Sequence, residues 1–274
     1  MRSTARFPRQ ATVAAAILIA LVVLAALAPL ISPFAFDALD LAHRRAAPSI
    51  SHWFGTDELG RDLLTRVLFG ARVSLAVGFV SAAVSVFLGV AIGATAGWTG
   101  RWVDAVLMRV TDAMLAVPRL PLLMIAAAVL APNVAVLVLL VGAAGWMETA
   151  RVVRAEVQSI KANDFVTAAR AVGATSSRVV LRHVLPGVLP TAAVATTLAV
   201  GRAILLESAL SFFGVGVQPP TASWGNMLYQ AQTTMSSEPW LGIFPGAFIF
   251  ITVMCCNVLG TALTDRAAGV DRPA

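Results

Sequence analysis

Few residues of this sequence are placed to do covalent chemistry. The histidines His43, His52 and His183 are scattered, and no His-Glu-x-x-His, Gly-x-Ser-x-Gly or paired metal-ligand spacing occurs, so no metal site is expected. Cys255 and Cys256 are neighbours in an apolar run, which reads as buried thiols and not as a disulfide framework. The one lysine, Lys161, stands between Ile160 and Ala162. A phosphate-binding loop needs Gly-x-x-x-x-Gly-Lys followed by Ser or Thr, so the chain lacks the means to hold and hydrolyse a nucleotide. What remains is charge within apolar stretches. Arg202 and Glu207 lie in one such stretch, and Glu148 lies near the end of another. Ionisable groups there are costly and face protein or water. For Arg202 and Glu207 two readings stand open: lining of a pathway, or an ion pair with another helix or a partner subunit. Five residues apart, they point to different faces and are not expected to pair with each other. Glu148 is expected to pair with Arg151 or Arg154. The sequence offers no physical account of Arg202.

The elements that position these groups are read from hydropathy. The chain has 274 residues, 58% of them hydrophobic and 12% charged. About 20 residues of helix cross a hydrocarbon core of about 30 Å, and lipid cannot satisfy an open backbone. Helices are expected over 11–31, 73–98, 104–131, 133–150, 188–210 and 240–263, giving an all-α membrane protein with six transmembrane helices. Pro118 and Pro121 would kink the third, and Pro132-Asn133 would be the hinge between the third and fourth. The start of the chain has Arg2, Arg6 and Arg9 before an apolar stretch, as a signal peptide does. That stretch exceeds the usual h-region, and Pro29 follows Ala28 directly, so an uncleaved first helix is expected.

Charge sets the orientation and the count. The formal net charge is +6, from 19 arginines and one lysine. The segment 151–187 carries Arg151, Arg154, Lys161, Arg170, Arg178 and Arg182, and such density belongs in the cytoplasm. With the basic start also inside, an even number of crossings must precede Arg151. The stretch 211–239 has no Lys or Arg, as an outside loop should. Both termini are then cytoplasmic. The expected organisation is a tail and first helix (1–32), an extracytoplasmic loop (33–72), a membrane domain (73–265) holding the inner loop, and a short cytoplasmic tail (266–274). Arg44, Arg45, Arg61 and Arg66 in the first outside loop require it to be folded and internally paired with its acids. Arg109 and Asp112, three apart, are expected to pair near the inner side. The 211–239 loop, with Gln218-Pro219-Pro220 and Trp224, reads as a plug packed over the helix ends or as a contact for an outside protein. Gly89, Gly93 and Gly97 form a small-residue stripe where another helix approaches closely, within the subunit or from a partner.

Within the inner loop, the run from Asn163 to Gly173 reads as a short helix. Asp164 is its expected N-cap and Gly173 its C′ residue, with Ala168, Ala169 and Val172 on one small apolar face. A second helix is expected from Ser176 or Ser177, ending before Pro186. The pair forms a knob suited to a partner's groove.

This loop resembles the coupling loop of binding-protein-dependent ABC permeases. Their motif, Glu-Ala-Ala, three residues, Gly, then Leu-Pro, is matched by Thr167-Ala168-Ala169, Gly173 and Leu185-Pro186. Thr167 replaces the motif's glutamate, which at the third helical position would complete a capping box with Asp164. The runs Phe54-Gly55-Thr56-Asp57-Glu58-Leu59-Gly60-Arg61-Asp62, Gly70-Ala71-Arg72-Val73-Ser74-Leu75 and Arg182-His183-Val184-Leu185-Pro186 are similar to signatures of the peptide and nickel branch of that family. So are Leu210-Ser211-Phe212-Phe213-Gly214-Val215-Gly216-Val217-Gln218-Pro219-Pro220 and Ser223-Trp224-Gly225-Asn226-Met227.

The resemblance spans roughly residues 50–265, and in detail it is to the second permease of dipeptide and oligopeptide systems. It implies the type I ABC importer permease fold in the bacterial cytoplasmic (inner) membrane. It also implies a homologous second permease, two P-loop ATPase subunits that bind the coupling loops, and an extracytoplasmic solute-binding protein. This chain would bind no cofactor; ATP and Mg would sit on the ATPases. Nucleic acid is not an expected partner. A nickel or metallophore permease of the same branch is the near alternative. A secondary transporter driven by an ion gradient is the alternative of another class, but neither internal repeats nor paired intramembrane acids are evident.

Overall fold

A backbone in lipid must bond to itself, and this chain does so by helix nearly throughout. The computed structural model describes residues 8–130 and 133–267. Along the chain run α1 (Arg9–Ile31), α2 (Leu63–Thr99), α3 (Arg101–Ala116), α4 (Arg119–Leu130), α5 (Val134–Ala143) and α6 (Trp146–Lys161). There follow α7 (Asp164–Ala171), α8 (Ser176–Val179), a π-helical turn (Val180–Val184), α9 (Leu185–Phe212), α10 (Trp224–Ala231) and α11 (Trp240–Ala267). Among the described residues the only β pairing is an isolated bridge between Thr56 and Asp62. Among the described residues four continuous helices are long and apolar enough to cross a membrane: α1, α2, the run Ser176–Phe212, and Trp240–Arg266. Two bent pairs, α3 with α4 at 84° and α5 with α6 at 41°, bring the total to six if each pair is one span.

Several boundaries differ from the sequence expectation, each for a local reason. α2 begins at Leu63, not at 73, so the loop before it is shorter than the expected 33–72. Asp62 caps it, its carboxylate accepting from Thr65 N at 2.8 Å, and the polar first turn is buried against the loop instead of exposed. The third expected helix is two helices, broken at Val117-Pro118, where proline removes a donor and disfavours helix in the residue before it. Of the expected Pro132-Asn133 hinge, Pro132 lies outside the described residues, and Asn133 caps α5 by accepting from Val136 N at 3.0 Å.

The fourth helix does not stop at 150. It bends at Gly145 and continues to Lys161, because its charged inner half is amphipathic and buries Val153, Val157 and Ile160. The helix from Ser176 does not stop before Pro186 either. It continues to Phe212 as one 37-residue run. The π-helical turn just ahead of Pro186 changes the bonding register there, so the missing N–H falls where the α ladder is already interrupted.

The expected pairing of Arg109 with Asp112 is replaced by a bond from Arg151 to Asp112. Arg154 pairs with Asp104, its Nε and Nη2 donating at 2.5 and 2.6 Å. Glu148 is thereby left to other partners. In the loop between α1 and α2, Arg61 reaches Asp57 at 2.7 Å and Arg45 reaches Glu238 at 3.5 Å, and Arg66, in the first turn of α2, reaches Asp57 at 3.5 Å.

Three apolar clusters hold the helices together. The outer one joins α1, α2, α9, α10 and α11 around Val67, Ile204 and Trp224. A second joins the α4–α5 hairpin to α9 around Leu137 and Leu210. The inner one gathers Val157, Ile160, Val166, Val179 and Val184 where α6, α7 and α8 meet.

Candidate functional site

The inner knob is built from α7, clamped between the end of α6 and the start of the long α8–α9 run. Val166 is buried and Ala169 packs inward against the inner cluster. Phe165, Ala168 and Val172 point outward, with Phe165 47% and Val172 87% exposed. The free apolar face is therefore Phe165, Ala168 and Val172, and not the expected Ala168, Ala169 and Val172. Ala169 belongs to the side that anchors the helix.

Asn163, not Asp164, occupies the cap position. Asp164 is the first helical residue, where its charge complements the helix N-terminus. Thr167 is then the fourth helical residue and exposed, and the third is the buried Val166. A glutamate at 167 would not complete the capping box expected with Asp164.

At the other end, Gly173 has φ +88°. Its N–H donates to Arg170 O at 3.0 Å, and Ala174 N–H donates to Ala169 O at 3.0 Å. These two bonds make a Schellman motif, which requires the left-handed residue that glycine supplies without strain. Leu185 packs against the inner cluster, and Pro186 lies exposed at the start of α9. Two cations tie the knob to the inner end of α2: Lys161 Nζ donates to Trp98 O at 2.5 Å, and the Arg170 guanidinium lies 4.7 Å from the centre of the Trp98 ring.

Above the knob, α2 and the α5–α6 pair run parallel in fixed register. Val84 meets Gly142, Ser85 meets Gly145, Gly89 meets Thr149, Gly93 meets Val153 and Gly97 meets Val157. A β-carbon on Gly93 would lie 2.5 Å from Ala150 O, and one on Gly97 2.8 Å from Arg154 O. The glycine stripe thus seats a helix of the same chain. It extends outward through Ser81 and Ser85, which continue the four-residue spacing and escape a search for glycine alone.

Glu207 is fully buried. Among the described residues it has no ion-pair partner and no exposure to a pathway. Its Oε1 accepts from Ser211 Oγ at 2.8 Å and its Oε2 from Ser74 Oγ at 3.1 Å, with Ser208 Oγ at 3.5 Å. Each of the two nearer serines accepts in turn from the outer loop: Ser74 Oγ from Trp224 N at 3.1 Å, Ser211 Oγ from Val217 N at 3.0 Å. The carboxylate therefore fastens α10 and its approach to α2 and α9. Gly225 allows the close fit, since a β-carbon there would lie 2.6 Å from Ser208 Cα. Trp224 is wholly buried, with Nε1 donating to Val67 O at 3.1 Å. Ser211 was findable, one helical turn after Glu207; Ser74 and Trp224 come from distant parts of the chain and carry no local signal.

Arg202 finds its partner in Glu148, which also accepts from Arg119 Nη2 at 2.7 Å. Neither Arg151 nor Arg154 takes the expected place beside Glu148, because α6 turns both toward α3. Three helices, α4, α6 and α9, thus contribute one charge each to a cluster inside the bundle.

Comparison with known proteins places residues 89–268 in the family described as binding-protein-dependent transport system inner membrane component. The chain is 36% identical over 249 residues to the dipeptide transport system permease protein DppC of Alkalihalophilus pseudofirmus, covering 91% of this chain and 82% of that one. It is 38% identical over 250 residues to DppC of Bacillus subtilis, covering 91% and 78%. It is 38% identical over 258 residues to the oligopeptide transport system permease protein OppC of Escherichia coli K12, covering 93% and 85%.

Proposed function

The chain belongs to the family of binding-protein-dependent transport system inner membrane components, multi-pass proteins of the cytoplasmic membrane, and from that premise we propose that it is a permease subunit of an ATP-driven importer of di- or oligopeptides. The observation that carries the substrate class is the similarity, nearly end to end, to dipeptide and oligopeptide permeases. The partners follow from the same reading. A homologous permease completes the pore, two P-loop ATPases supply ATP hydrolysis with Mg, and an extracytoplasmic binding protein delivers the peptide.

In this reading the chain contributes positioning and motion. The exposed face of Phe165, Ala168 and Val172 docks into an ATPase groove on the cytoplasmic side. Asp164 and Thr167 flank that face. Gly173 ends the helix sharply, while Leu185 and Pro186 join it to α9. ATP binding draws the two ATPases together and moves α7. Because α7 is fastened to α6 through Val166 and to α2 through Trp98, the displacement passes into the crossing helices and alternates the side to which the pore opens.

The test is uptake into vesicles holding this chain with its second permease and ATPases, with binding protein and short alanine peptides outside. Uptake is expected only with ATP inside. Accumulation driven by an ion gradient without ATP would overturn the reading.

A further inference from the structure

We propose that Arg119, Arg202 and Ser85 form a subsite that takes the carboxylate of the transported peptide as it passes the middle of the span. The inference rests on the peptide-importer reading and adds a binding role for residues of this chain.

The cluster carries surplus positive charge. Glu148 accepts from Arg119 and from Arg202, so one carboxylate faces two guanidiniums. Elsewhere along α6 the pairing is one to one: Arg151 with Asp112, Arg154 with Asp104. Each guanidinium has five N–H donors and gives Glu148 only part of that set. Arg202 is about 15 Å along the helix from the outer end of α9, and Ser85 is near the middle of α2, so the surplus lies deep in the span. Uncompensated charge at that depth is costly, and it attracts an anion more strongly than the same charge would in water.

The second observation is a cleft. It holds about 20 Å³, room for about one water, and its lining includes Arg119, Arg202 and Ser85 together with Gly145, Ala199 and Ala203. Ser85 is 4% exposed, and its Oγ is buried beside Gly145 without a hydrogen-bond partner, a donor left unsatisfied in the wall of the cleft. The side chains of Arg202 and Glu148 are each 40% exposed. Half-exposed charges at mid-span face water or protein and not lipid, and with the translocation path as that water the cleft would meet the passing peptide. The ligand chemistry is a carboxylate, which two guanidiniums and a hydroxyl match, and every free peptide carries one at its C-terminus.

The test compares ATP-driven uptake of short alanine peptides as free acids and as C-terminal amides, in complexes carrying wild-type chain, Arg202→Gln, Arg119→Gln or Glu148→Gln. The binding protein's own preference is the same in every sample and cancels in the change of the acid-to-amide ratio. Arg202→Gln and Arg119→Gln are expected to lower that ratio by about tenfold, the worth of one charge-assisted contact. Glu148→Gln, which frees both arginines, is expected to raise it. A purely structural ion cluster predicts that all three variants reduce both cargoes alike. Assembled arginine variants that keep the wild-type ratio overturn the subsite. If the arginine variants do not assemble, Glu148→Gln decides: a raised ratio supports the subsite, and an unchanged or lowered one overturns it. Failure of the wild-type complex to import either form with ATP would instead reject the peptide-importer reading.

Discussion

A carboxylate inside an apolar helix persists only where hydroxyls or N–H groups take the place of water, and Glu207 has Ser74 and Ser211 for that purpose. The arrangement makes it a fastening and not a cargo contact. Glu207→Ala leaves both hydroxyls without their acceptor and is expected to destabilise the detergent-solubilised complex by about 2–3 kcal/mol, read as a fall in thermal unfolding temperature. Glu207→Gln keeps an acceptor and is expected to cost less than half of that. Uptake per assembled complex should stay near wild type in both; a loss of uptake at unchanged stability would return Glu207 to the pathway. At this scale the sequence was partly legible. It marked Arg202, Glu207 and Glu148 as anomalies, because charge stands out against an apolar background. It misassigned the partner of Glu148, because local spacing favours Arg151 beside it, whereas the fold turns that arginine toward Asp112 and brings Arg119 and Arg202 in from other helices.

Helix ends and helix faces were read with mixed success, and the reasons are physical. The short helix before Gly173 was visible because a left-handed terminator has a strong residue preference. Its outward face was misread by one position, since pattern alone does not say which apolar residue the inner cluster will claim, and the cluster claims Ala169. The continuation through Pro186 was hidden because a π-helical turn has no simple sequence signature. Gly93 and Gly173 show two different demands on one residue type. Gly93 is needed for space, with Ala150 O at 2.5 Å from any β-carbon, whereas Gly173 has nothing within 4 Å and is needed for its backbone angle. Gly173→Val is therefore expected to strain the end of α7 by about 1–2 kcal/mol without a clash, with Gly173→Asn close to wild type. The measurement is ATP hydrolysed per peptide imported: Val should raise it severalfold or release the ATPases, and wild-type coupling in that variant would contradict the docking role of α7.

For the molecule as a whole, positive charge predicted six crossings, and the described helices reach that number if each bent pair is one span. Apolar runs alone could not reveal that two of the apolar stretches bend, at Val117-Pro118 and at Gly145. The orientation predicts a labelling pattern. In a background with Cys255 and Cys256 replaced, a cysteine at exposed Gln218 should react with an impermeant maleimide added to intact cells. One at Val172 should react only after the membrane is opened; the reverse pattern would invert the topology. The 37-residue α2, about 55 Å long, meets the buried Trp224 and its loop at one end and the Lys161–Arg170 clasp at Trp98 at the other. A rod held at both ends behaves as a single rocker. In the proposed importer, a push delivered from the cytosol would tilt the outer end of α2 in the same stroke, which would gear the two doors to each other and leave no posture in which both swing free.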